Sequence, residues 1–461
     1  MIKTIKAERP GGFLDFLPAD YLAREKMLNI ISGVFRSFGF DPIETPRVEF
    51  LKTLAGEQSD TGKNIFHIKS SQGDGETLAL AFDHTVPFAR LLAANPYDAK
   101  KQTGIRLPWR RMVVGPVFRG ENPQSGRYRQ FYQFDADIAG VASVLADAEI
   151  ISMMHKTLTE LGVDDFSIRI NNRKILNALS DLADISDRSE VDKNDIAKEI
   201  MRILDKLDKI GWDNVVEELK KTPQNDFDTA PCLNDEAIAK IKSFLMITGD
   251  NMEKLALCRK IFIDFPGAVE GIDELEEIVN NLGSVGIPEG DIKIDFSIAR
   301  GLDYYTGTVM ETTLNKAPQF GSVFSGGRYN DLVSRFTGRE LPAVGASIGV
   351  DRLFAALEYL GKLNRDQKTS SEVMVLRLIP GKSDYYLQIA SRIRALGINT
   401  EICLVDDTTF KTQFGYAISR GVKWVVISGQ DEYDNNVIQI KNLNTREQVE
   451  VELSKVETYF N

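Results

Sequence analysis

Cysteine and histidine are scarce in this chain. Only three of each occur among 461 residues, and the cysteines stand far apart at Cys232, Cys258 and Cys403. Three scattered thiols form neither a disulfide framework nor a zinc-binding pattern. With so few histidines, a histidine-rich metal site is not expected either. The sequence therefore predicts no tightly bound metal held by the protein itself.

Long apolar runs are also missing. No stretch stays apolar over the roughly 20 residues that a membrane-spanning helix needs. The first ten residues include lysines but lack the apolar core of a signal peptide. These features predict a cytoplasmic protein with no membrane partner.

Basic residues are outnumbered, with 56 Lys and Arg against 67 Asp and Glu, so the formal net charge is −11. Such a chain lacks the positive field that a non-specific nucleic-acid coat requires, although a local basic patch could still bind one. The 43% hydrophobic and 27% charged residues are typical of a globular protein. The length predicts about two to four domains.

One basic segment stands out against this acidic background. Residues 101–130 include seven Lys or Arg and a single acid, Glu121. From Arg127 to Gln133, arginines alternate with aromatic and glutamine residues, which predicts a strand. Guanidinium groups hold phosphate oxygens in a bidentate manner, so we interpret this segment as a polyanion-binding platform. The alternative is a solvated loop with surface charge. One face of the predicted strand presents Arg127, Arg129, Phe131 and Gln133.

The order of the predicted elements favours an α+β fold. Antiparallel strands and helices fill the first part of the chain, only helices follow, and strands then return before a polar linker. The end of the chain alternates strand and helix, as expected for a small α/β domain. The predicted boundaries are 1–172 for the first part of a sheet domain, 173–288 for a helical insertion, 289–362 for the second part of the sheet domain, 363–371 for a linker and 372–461 for the α/β domain.

A second polar segment joins two predicted strands between Ile298 and Gly307. Arg300 in this segment could stabilise negative charge that develops on a reacting oxygen. Tyr304 and Tyr305 could line a small polar pocket. The alternative is a tight turn closed by a salt bridge between Arg300 and the nearby Asp303.

Two glycine-containing segments follow. Gly326 and Gly327 would let the backbone approach a ligand closely, although such a pair is more often a turn. Small residues after Gly345 would let a flat ligand lie on a strand, and Arg352, in the first turn of the next helix, could hold its phosphate tail. By itself this second pattern is also a common strand-to-helix junction.

Asp83 and Thr85 lie two residues apart, so in an extended segment their side chains point the same way. A carboxylate and a hydroxyl together can bind an ammonium group. The alternative is an N-cap pair for the helix that begins near Pro87. His84, between them, is interpreted as structural.

Together these segments resemble the class II aminoacyl-tRNA synthetases, and within them the histidyl-tRNA synthetase family. The segment ending at Pro46 resembles motif 1, the segment 118–133 resembles motif 2, and 349–352 resembles motif 3. The sequence from Arg300 to Gly307 is similar to a signature peculiar to the histidine family. The resemblance runs nearly end to end and implies a class II catalytic domain with a helical insertion and a C-terminal anticodon-binding domain.

The resemblance also implies a role for each matching residue. Arg119 and Arg300 would be the catalytic arginines at the α-phosphate of ATP. The implied ATP-binding residues are Arg119, Glu121, Arg127 and Arg352. The implied histidine-binding residues are Asp83, Thr85, Gln133, Asp137, Tyr304, Tyr305 and Tyr329.

The implied activity is the activation of L-histidine by ATP to histidyl-adenylate, followed by transfer to the 3′ end of tRNA(His). The implied partners are ATP with Mg²⁺, L-histidine, tRNA(His) and a second copy of the chain in a homodimer. Two alternatives remain open from the residues alone. One is a non-catalytic paralogue with a regulatory or tRNA-sensing role, and the other is a class II ligase for a different amino acid.

Overall fold

The computed structural model describes residues 5–55, 64–69, 76–122, 128–182, 193–204, 206–225, 228–298 and 305–460. The chain divides into two compact units. The first comprises Met1–Leu14 and Ile30–Lys362, and the second comprises Asp15–Asn29 and Leu363–Asn461.

The strands of the first unit form two sheets. In chain order they are β1 (Asp41–Pro42), β2 (Val48–Phe50), β3 (His67–Ile68), β4 (Leu78–Leu80), β5 (Trp109–Phe118), β6 (Gln130–Ala139), β7 (Phe166–Asn172), β8 (Ile292–Ile294), β9 (Thr308–Leu314), β10 (Ser322–Tyr329) and β11 (Ala343–Gly349). The larger sheet has the order β1-β5-β6-β11-β10-β9-β7-β8, and the smaller has the order β2-β4-β3. Within the larger sheet, only β1 with β5 and β7 with β8 run parallel. The predicted α+β fold with an antiparallel-rich sheet is confirmed.

Over the described residues, twelve α-helices begin before the first unit ends at Lys362. In order they are α1 (Pro18–Ser37), α2 (Leu51–Ala55), α3 (Thr85–Ala94), α4 (Leu145–Glu160), α5 (Arg173–Asn177), α6 (Lys193–Leu204), α7 (Leu207–Leu219), α8 (Asp235–Leu245), α9 (Asn251–Ile261), α10 (Pro266–Ser284), α11 (Ser334–Thr337) and α12 (Val350–Tyr359). The helices α5 to α10 follow one another between β7 and β8, where the sequence predicts an insertion. In the described part of that stretch no strand occurs.

Local signals in the sequence explain where several helices begin and end. After α1, Gly39 takes a φ of +79°, a conformation that favours glycine. The Asp250 side chain accepts a hydrogen bond from the Glu253 backbone, and the Glu253 side chain bonds back, which closes a capping box before α9. Pro266 opens α10, where its missing N–H costs no helical hydrogen bond.

A buried ion pair fastens the sheet of the first unit to a helix beneath it. Arg328 on β10 donates from Nε to both carboxylate oxygens of Asp147 on α4, at 3.3 and 3.1 Å, and its Nη2 also contacts this carboxylate. Both side chains are almost fully buried. The same guanidinium donates to the carbonyl oxygens of Val141 and Ser143, so it fixes the turn before α4 as well.

The second unit has a separate five-stranded sheet. Its strands are β12 (Val373–Val375), β13 (Thr400–Ile402), β14 (Trp424–Ile427), β15 (Val437–Asn442) and β16 (Gln448–Glu452), in the order β13-β12-β14-β15-β16. Its later helices are α13 (Ser383–Ala395), α14 (Phe410–Arg420), α15 (Gln430–Asp434) and α16 (Val456–Phe460). The predicted alternation of strand and helix is confirmed, with the addition of the edge strand β16, which the sequence reading missed.

Two other elements differ from the sequence prediction. The turn predicted around Gly326 and Gly327 is instead the middle of β10, paired on both sides with β9 and β11. The strand predicted from Arg127 begins at Gln130 in the structure. None of the described helices is both long enough and apolar enough to cross a bilayer.

Candidate active site

A row of polar side chains runs along one face of β6. Gln133, Asp135 and Asp137 occupy alternate positions of this strand, so all three project from the same face of the sheet. The strand lies in the middle of the sheet, between β5 and β11. Because a central strand is covered on its faces, this row is largely withdrawn from solvent: Asp135 is 2% exposed and Asp137 is 3% exposed.

Asp137 joins three neighbouring strands at one end of the row. The Tyr329 hydroxyl on β10 donates to Asp137 Oδ1 at 2.5 Å. Arg111, opposite Asp137 on β5, places Nη2 2.6 Å from Asp137 Oδ2. On β11, a Cβ at Gly345 would lie only 2.0 Å from Asp137 Oδ1, so this carboxylate occupies space that any other residue would fill.

The negative charge of this row exceeds the positive charge of the buried cations near it. Burial raises the pKa of both Asp135 and Asp137 to about 6, although the neighbouring Arg111 acts to lower both values. Asp83, also buried, adds a third carboxylate that raises them further. Arg111 is fully buried, and it lies with its guanidinium carbon 4.3 Å from the centre of the Phe88 ring. An excess of buried acid suits a cationic ligand, because the ligand replaces the solvation that burial removes.

Ser347 on β11 orients the two residues at the other end of the row. Gln133 Nε2 donates to Ser347 Oγ at 2.9 Å. Ser347 in turn hydrogen-bonds the Asp135 carboxylate. Within the described part of the chain, Gln133 Oε1 and Asp135 Oδ1 are buried and have no hydrogen-bond partner. Two buried acceptors on the same face of β6 are therefore available to a ligand.

Arg119 lies just after β5, next to the same face of β6. Its guanidinium carbon is 4.4 Å from the ring centre of Phe82 and 5.1 Å from that of Phe131. Its Nε donates to the Phe82 carbonyl oxygen at 3.4 Å, and its backbone N–H donates to the Arg129 carbonyl oxygen at 2.8 Å. The two rings hold the guanidinium in place, half-buried, as a preorganised anion-binding group.

The structure changes the interpretation of Asp83 and Thr85. The prediction of an extended segment is wrong, because α3 already begins at Thr85. Asp83 Oδ1 accepts a hydrogen bond from the Val86 N–H at 3.0 Å, so the alternative N-terminal capping role is present for Asp83. Asp83 nevertheless lies close enough to Asp135 and Asp137 to raise the pKa of both.

His84 links three segments beneath the site. It is fully buried, its Nδ1 accepts from Arg47 Nη1 at 3.1 Å, and its Nε2–H donates to the Gly115 carbonyl oxygen at 3.2 Å. Arginine can only donate, which assigns this neutral tautomer. The sequence interpretation of His84 as structural agrees with these contacts. Burial, with Arg47 and Arg111 nearby, lowers the pKa of His84 to about 3.

We expect this histidine to make the fold sensitive to acid. The unfolded chain takes up a proton at His84 near pH 6.5 and the folded chain only near pH 3. The contribution of His84 to the unfolding free energy therefore falls as the pH drops through this window. Between pH 7.5 and pH 5, the unfolding free energy of the wild type should fall by about 2 kcal/mol more than that of His84→Gln, because the glutamine side chain does not titrate. Urea denaturation of both proteins at each pH measures the difference, and a constant difference would contradict the expectation.

The glycines of β10 serve the packing of the sheet itself. A Cβ at Gly326 would lie 2.1 Å from the Gly345 carbonyl oxygen, and one at Gly327 would lie 2.7 Å from Tyr305 Cδ1. The space beside this pair, where the sequence predicts a ligand, is filled by the backbone of β11 and by the ring of Tyr305. Tyr305 and Tyr329 consequently pack in the same hydrophobic cluster.

The remaining predicted site residues lie around the ends of the strands. Arg352, in the first turn of α12, donates from Nη1 to the Ser322 carbonyl oxygen at 2.6 Å. Glu121 is exposed, and its carbonyl oxygen accepts from Arg129 Nε at 3.2 Å. The predicted residues Arg127, Arg300 and Tyr304, and the salt bridge considered between Arg300 and Asp303, lie outside the described residues. Within the ranges described, no three His, Cys, Asp or Glu side chains come together as a metal site.

The sequence reading missed two residues of the site. Asp135 lies between Gln133 and Asp137 in the alternation of β6, so the same period-two argument identifies it. Arg111 was counted only as part of the basic segment. Its position opposite Asp137 depends on the pairing of β5 with β6, and no local sequence pattern indicates the register of that pair.

Comparison with known proteins accounts for almost the whole chain. The family profile described as histidyl-tRNA synthetase matches residues 12–353. The profile described as anticodon binding domain matches residues 372–461.

Individual relatives agree with these profiles. The chain is 37% identical to the histidine–tRNA ligase of Clostridium tetani over 447 residues, which cover 96% of this chain and 95% of the relative. It is 39% identical to the histidine–tRNA ligase of Ruegeria pomeroyi over 457 residues, which cover 95% of this chain and 90% of the relative. Among solved structures, the histidyl-tRNA synthetase of Nostoc sp. PCC 7120 superposes with a TM-score of 0.80 at 34% identity, covering 99% of both chains.

Proposed function

Since the chain belongs to the histidyl-tRNA synthetase family and is a histidine–tRNA ligase, we propose that the polar face of β6 is the floor of its adenylation site. The observation that carries this proposal is the buried row of Gln133, Asp135 and Asp137, with Arg119 at one end and Tyr329 at the other. A phosphate-binding group and an ammonium-binding group on one face suit a reaction that joins an amino acid to a nucleotide.

The arginines act at the phosphates. Arg119 binds the α-phosphate of ATP and the carboxylate that attacks it, and Arg300 stabilises the same phosphate from another direction. The phosphorus centre gains negative charge as the carboxylate oxygen attacks and pyrophosphate leaves, so fixed positive charge lowers the barrier. Arg127 and Arg352 bind the phosphate tail, and Glu121 lies near the adenine amino group.

The histidine substrate lies further along the row. Asp137, Tyr305 and Tyr329 surround its imidazole ring, and Tyr304 is a further histidine-binding residue. Asp83, Thr85 and Gln133 surround its α-ammonium group. Gln133 and Asp137 stand two steps apart on this strand face, with about 13 Å between their Cα atoms, so they contact the substrate from its two ends.

Two bond exchanges complete the reaction. The histidine carboxylate oxygen attacks the α-phosphorus, and pyrophosphate leaves. A hydroxyl of the terminal ribose of tRNA(His) then attacks the carbonyl carbon of the adenylate, and AMP leaves. The side chains position the reactants and stabilise charge, so no covalent enzyme intermediate is needed. Mg²⁺ enters with ATP as part of this substrate and neutralises its phosphate oxygens.

The substrate assignment is tested by ATP–pyrophosphate exchange with each of the twenty amino acids. Histidine alone is expected to support exchange. Exchange with a different amino acid, or none with any, would contradict the proposed site. The alternative of a non-catalytic regulatory paralogue is not favoured, because the relatives named above are ligases over nearly the full chain.

A single methyl group added at Gly345 should damage the histidine site selectively. The new Cβ would lie 2.0 Å from Asp137 Oδ1 and 2.8 Å from the Ala136 carbonyl oxygen, so Asp137 must move. We expect Gly345→Ala to raise KM for histidine by about tenfold or more, with KM for ATP nearly unchanged, as overpacking of this kind costs roughly 1–3 kcal/mol. Initial rates of exchange with either substrate varied measure both constants.

Gly267→Ala provides the matched control, because nothing lies within 4 Å of a Cβ at that position of α10. It should leave both constants unchanged. Equal changes of both constants in Gly345→Ala would contradict a selective effect on the histidine site.

We also propose the wider organisation of the protein. Residues 1–172 and 289–362 form the catalytic domain, 173–288 the helical insertion, 363–371 a linker and 372–461 the domain that binds the anticodon region of tRNA(His). The protein acts as a cytoplasmic homodimer. Sedimentation at micromolar concentration tests the dimer, and a monomer with full exchange activity would refute it.

A further inference from the structure

We propose that Asp135 binds the α-ammonium group of the histidine substrate, together with Gln133. This assignment rests on the proposed adenylation site and adds a residue to it. It gives Asp135 the substrate contact for which Asp83, on sequence grounds, is the expected carboxylate.

The first argument is the hydrogen bonding of the site. Ser347 receives the amide N–H of Gln133 and also bonds the Asp135 carboxylate, so it fixes both side chains from one side. The amide nitrogen is thereby turned toward Ser347, and the amide oxygen is turned away from it. Gln133 Oε1 and Asp135 Oδ1 are left as buried acceptors without a partner in the described residues. An ammonium group carries three N–H donors and no acceptor, so it satisfies both of these oxygens at once.

The second argument is the state of the other carboxylates. Asp137 is engaged by the Tyr329 hydroxyl and by Arg111, so its two oxygens have contacts already. Asp83 Oδ1 accepts from the Val86 backbone at the start of α3. Among these three carboxylates, Asp135 has the buried oxygen that no hydrogen bond and no ion pair reaches.

The third argument is position along β6. Asp135 lies on the strand face between Gln133, next in the row toward Arg119, and Asp137, which contacts Tyr329. If the ring of histidine lies at Asp137 and its carboxylate points toward Arg119, its α-nitrogen lies between these ends. Asp135 occupies this middle position.

Two histidine analogues separate this role from a general effect on the pocket. Histamine keeps the ring and the ammonium group but lacks the carboxylate, and imidazole-4-propionate keeps the ring and the carboxylate but lacks the ammonium group. Each is used as a competitive inhibitor of histidine-dependent ATP–pyrophosphate exchange, in the wild type and in Asp135→Asn. The variant should bind histamine about 10- to 100-fold more weakly, the effect of losing a charge-assisted hydrogen bond. It should bind imidazole-4-propionate within about threefold of the wild type.

The companion variants define what would overturn the assignment. Asp137→Asn, at the ring end of the site, should weaken the binding of both analogues. Asp165→Asn is the same chemical change at a part-exposed carboxylate that is hydrogen-bonded to Asn315, and it should weaken the binding of neither analogue. If Asp135→Asn weakens both analogues to the same extent, or neither of them, Asp135 does not bind the ammonium group.

Stability measurements and a second variant cover the case of a folding defect. Asp135→Asn should unfold at or above the wild-type temperature, because it removes a buried charge that has no ion-pair partner among the described residues. Ser347→Ala removes the hydroxyl that orients the Gln133 and Asp135 side chains. It should weaken the binding of histamine about 3- to 10-fold, with little effect on the binding of imidazole-4-propionate. An equal effect of Ser347→Ala on both analogues would overturn the proposal. Failure of the proposed function is distinct, since the wild type itself would then show no histidine-dependent exchange.

Discussion

Replacing Arg119 by alanine is expected to lower the rate of histidine-dependent ATP–pyrophosphate exchange by about 100- to 1000-fold, the scale of losing one preorganised charge stabiliser. The guanidinium is held between the rings of Phe82 and Phe131 before any substrate arrives. Alanine removes the charge that we propose binds the reacting phosphate, and it leaves the neighbouring strand in place. Pre-steady-state measurement of adenylate formation isolates this step from the later transfer to tRNA.

Four further variants sharpen this expectation. Arg119→Lys keeps the charge without the planar fork and should recover only part of the rate. Arg300→Ala should lower adenylate formation by more than about 100-fold. Because both arginines are proposed to act on one phosphate, the combined effect of the two alanine substitutions should fall short of the product of the single effects. Arg259→Ala, which removes part-exposed ion pairs between α9 and α10, should behave like the wild type. Wild-type turnover in Arg119→Ala would refute its assigned role.

The second large effect is expected on stability. Replacing Arg328 by methionine leaves the Asp147 carboxylate buried without its counter-ion and should lower the free energy of unfolding by about 3–5 kcal/mol. The pair joins β10 to α4, so its loss loosens the strand that presents Tyr329. Chemical denaturation followed by circular dichroism measures the loss.

The double variant Arg328→Met with Asp147→Leu provides the decisive comparison. It removes both charges, so it should recover part of the stability that the single variant loses. Lys156→Ala, which breaks the exposed pair with Glu160, should change the free energy of unfolding by less than about 1 kcal/mol. A double variant less stable than Arg328→Met would show that the cost comes from lost packing rather than from an unpaired charge.

Long periodic elements of the fold could be predicted from the sequence, because their signals are local. The helices α1 and α4 have apolar residues at helical spacing, a pattern that indicates a helix from the local sequence alone. The strand β10 could not be predicted in this way. Its Gly326 and Gly327 are typical of a turn, and they stand in a strand because the neighbouring backbone of β11 and the ring of Tyr305 need the space. That need arises from pairing between distant segments, which no local pattern expresses.

In the candidate site, too, some residues follow from local sequence patterns and others depend on contacts between distant segments. Gln133 and Asp137 were assigned to the histidine site by resemblance to the family, and the alternation along one strand placed Gln133 on its polar face. Asp83 was assigned to the ligand by the same resemblance, and its spacing from Thr85 supported this only for an extended segment, whereas the helix α3 begins two residues later. The importance of Asp135 depends on Ser347, which is more than 200 residues away in the chain and hydrogen-bonds Gln133 from the next strand. Only the fold brings these groups together.

The space at Gly345 has a consequence for how this gene can change. Every single-nucleotide change that replaces a glycine codon with that of another residue introduces a larger side chain, and here the first added carbon would already overlap Asp137 Oδ1. Mutation at this codon can therefore only narrow the floor of the site and can never widen it. Variation in the size of the pocket has to come from other positions around it, so a directed-evolution library aimed at bulkier amino acids should leave this codon fixed.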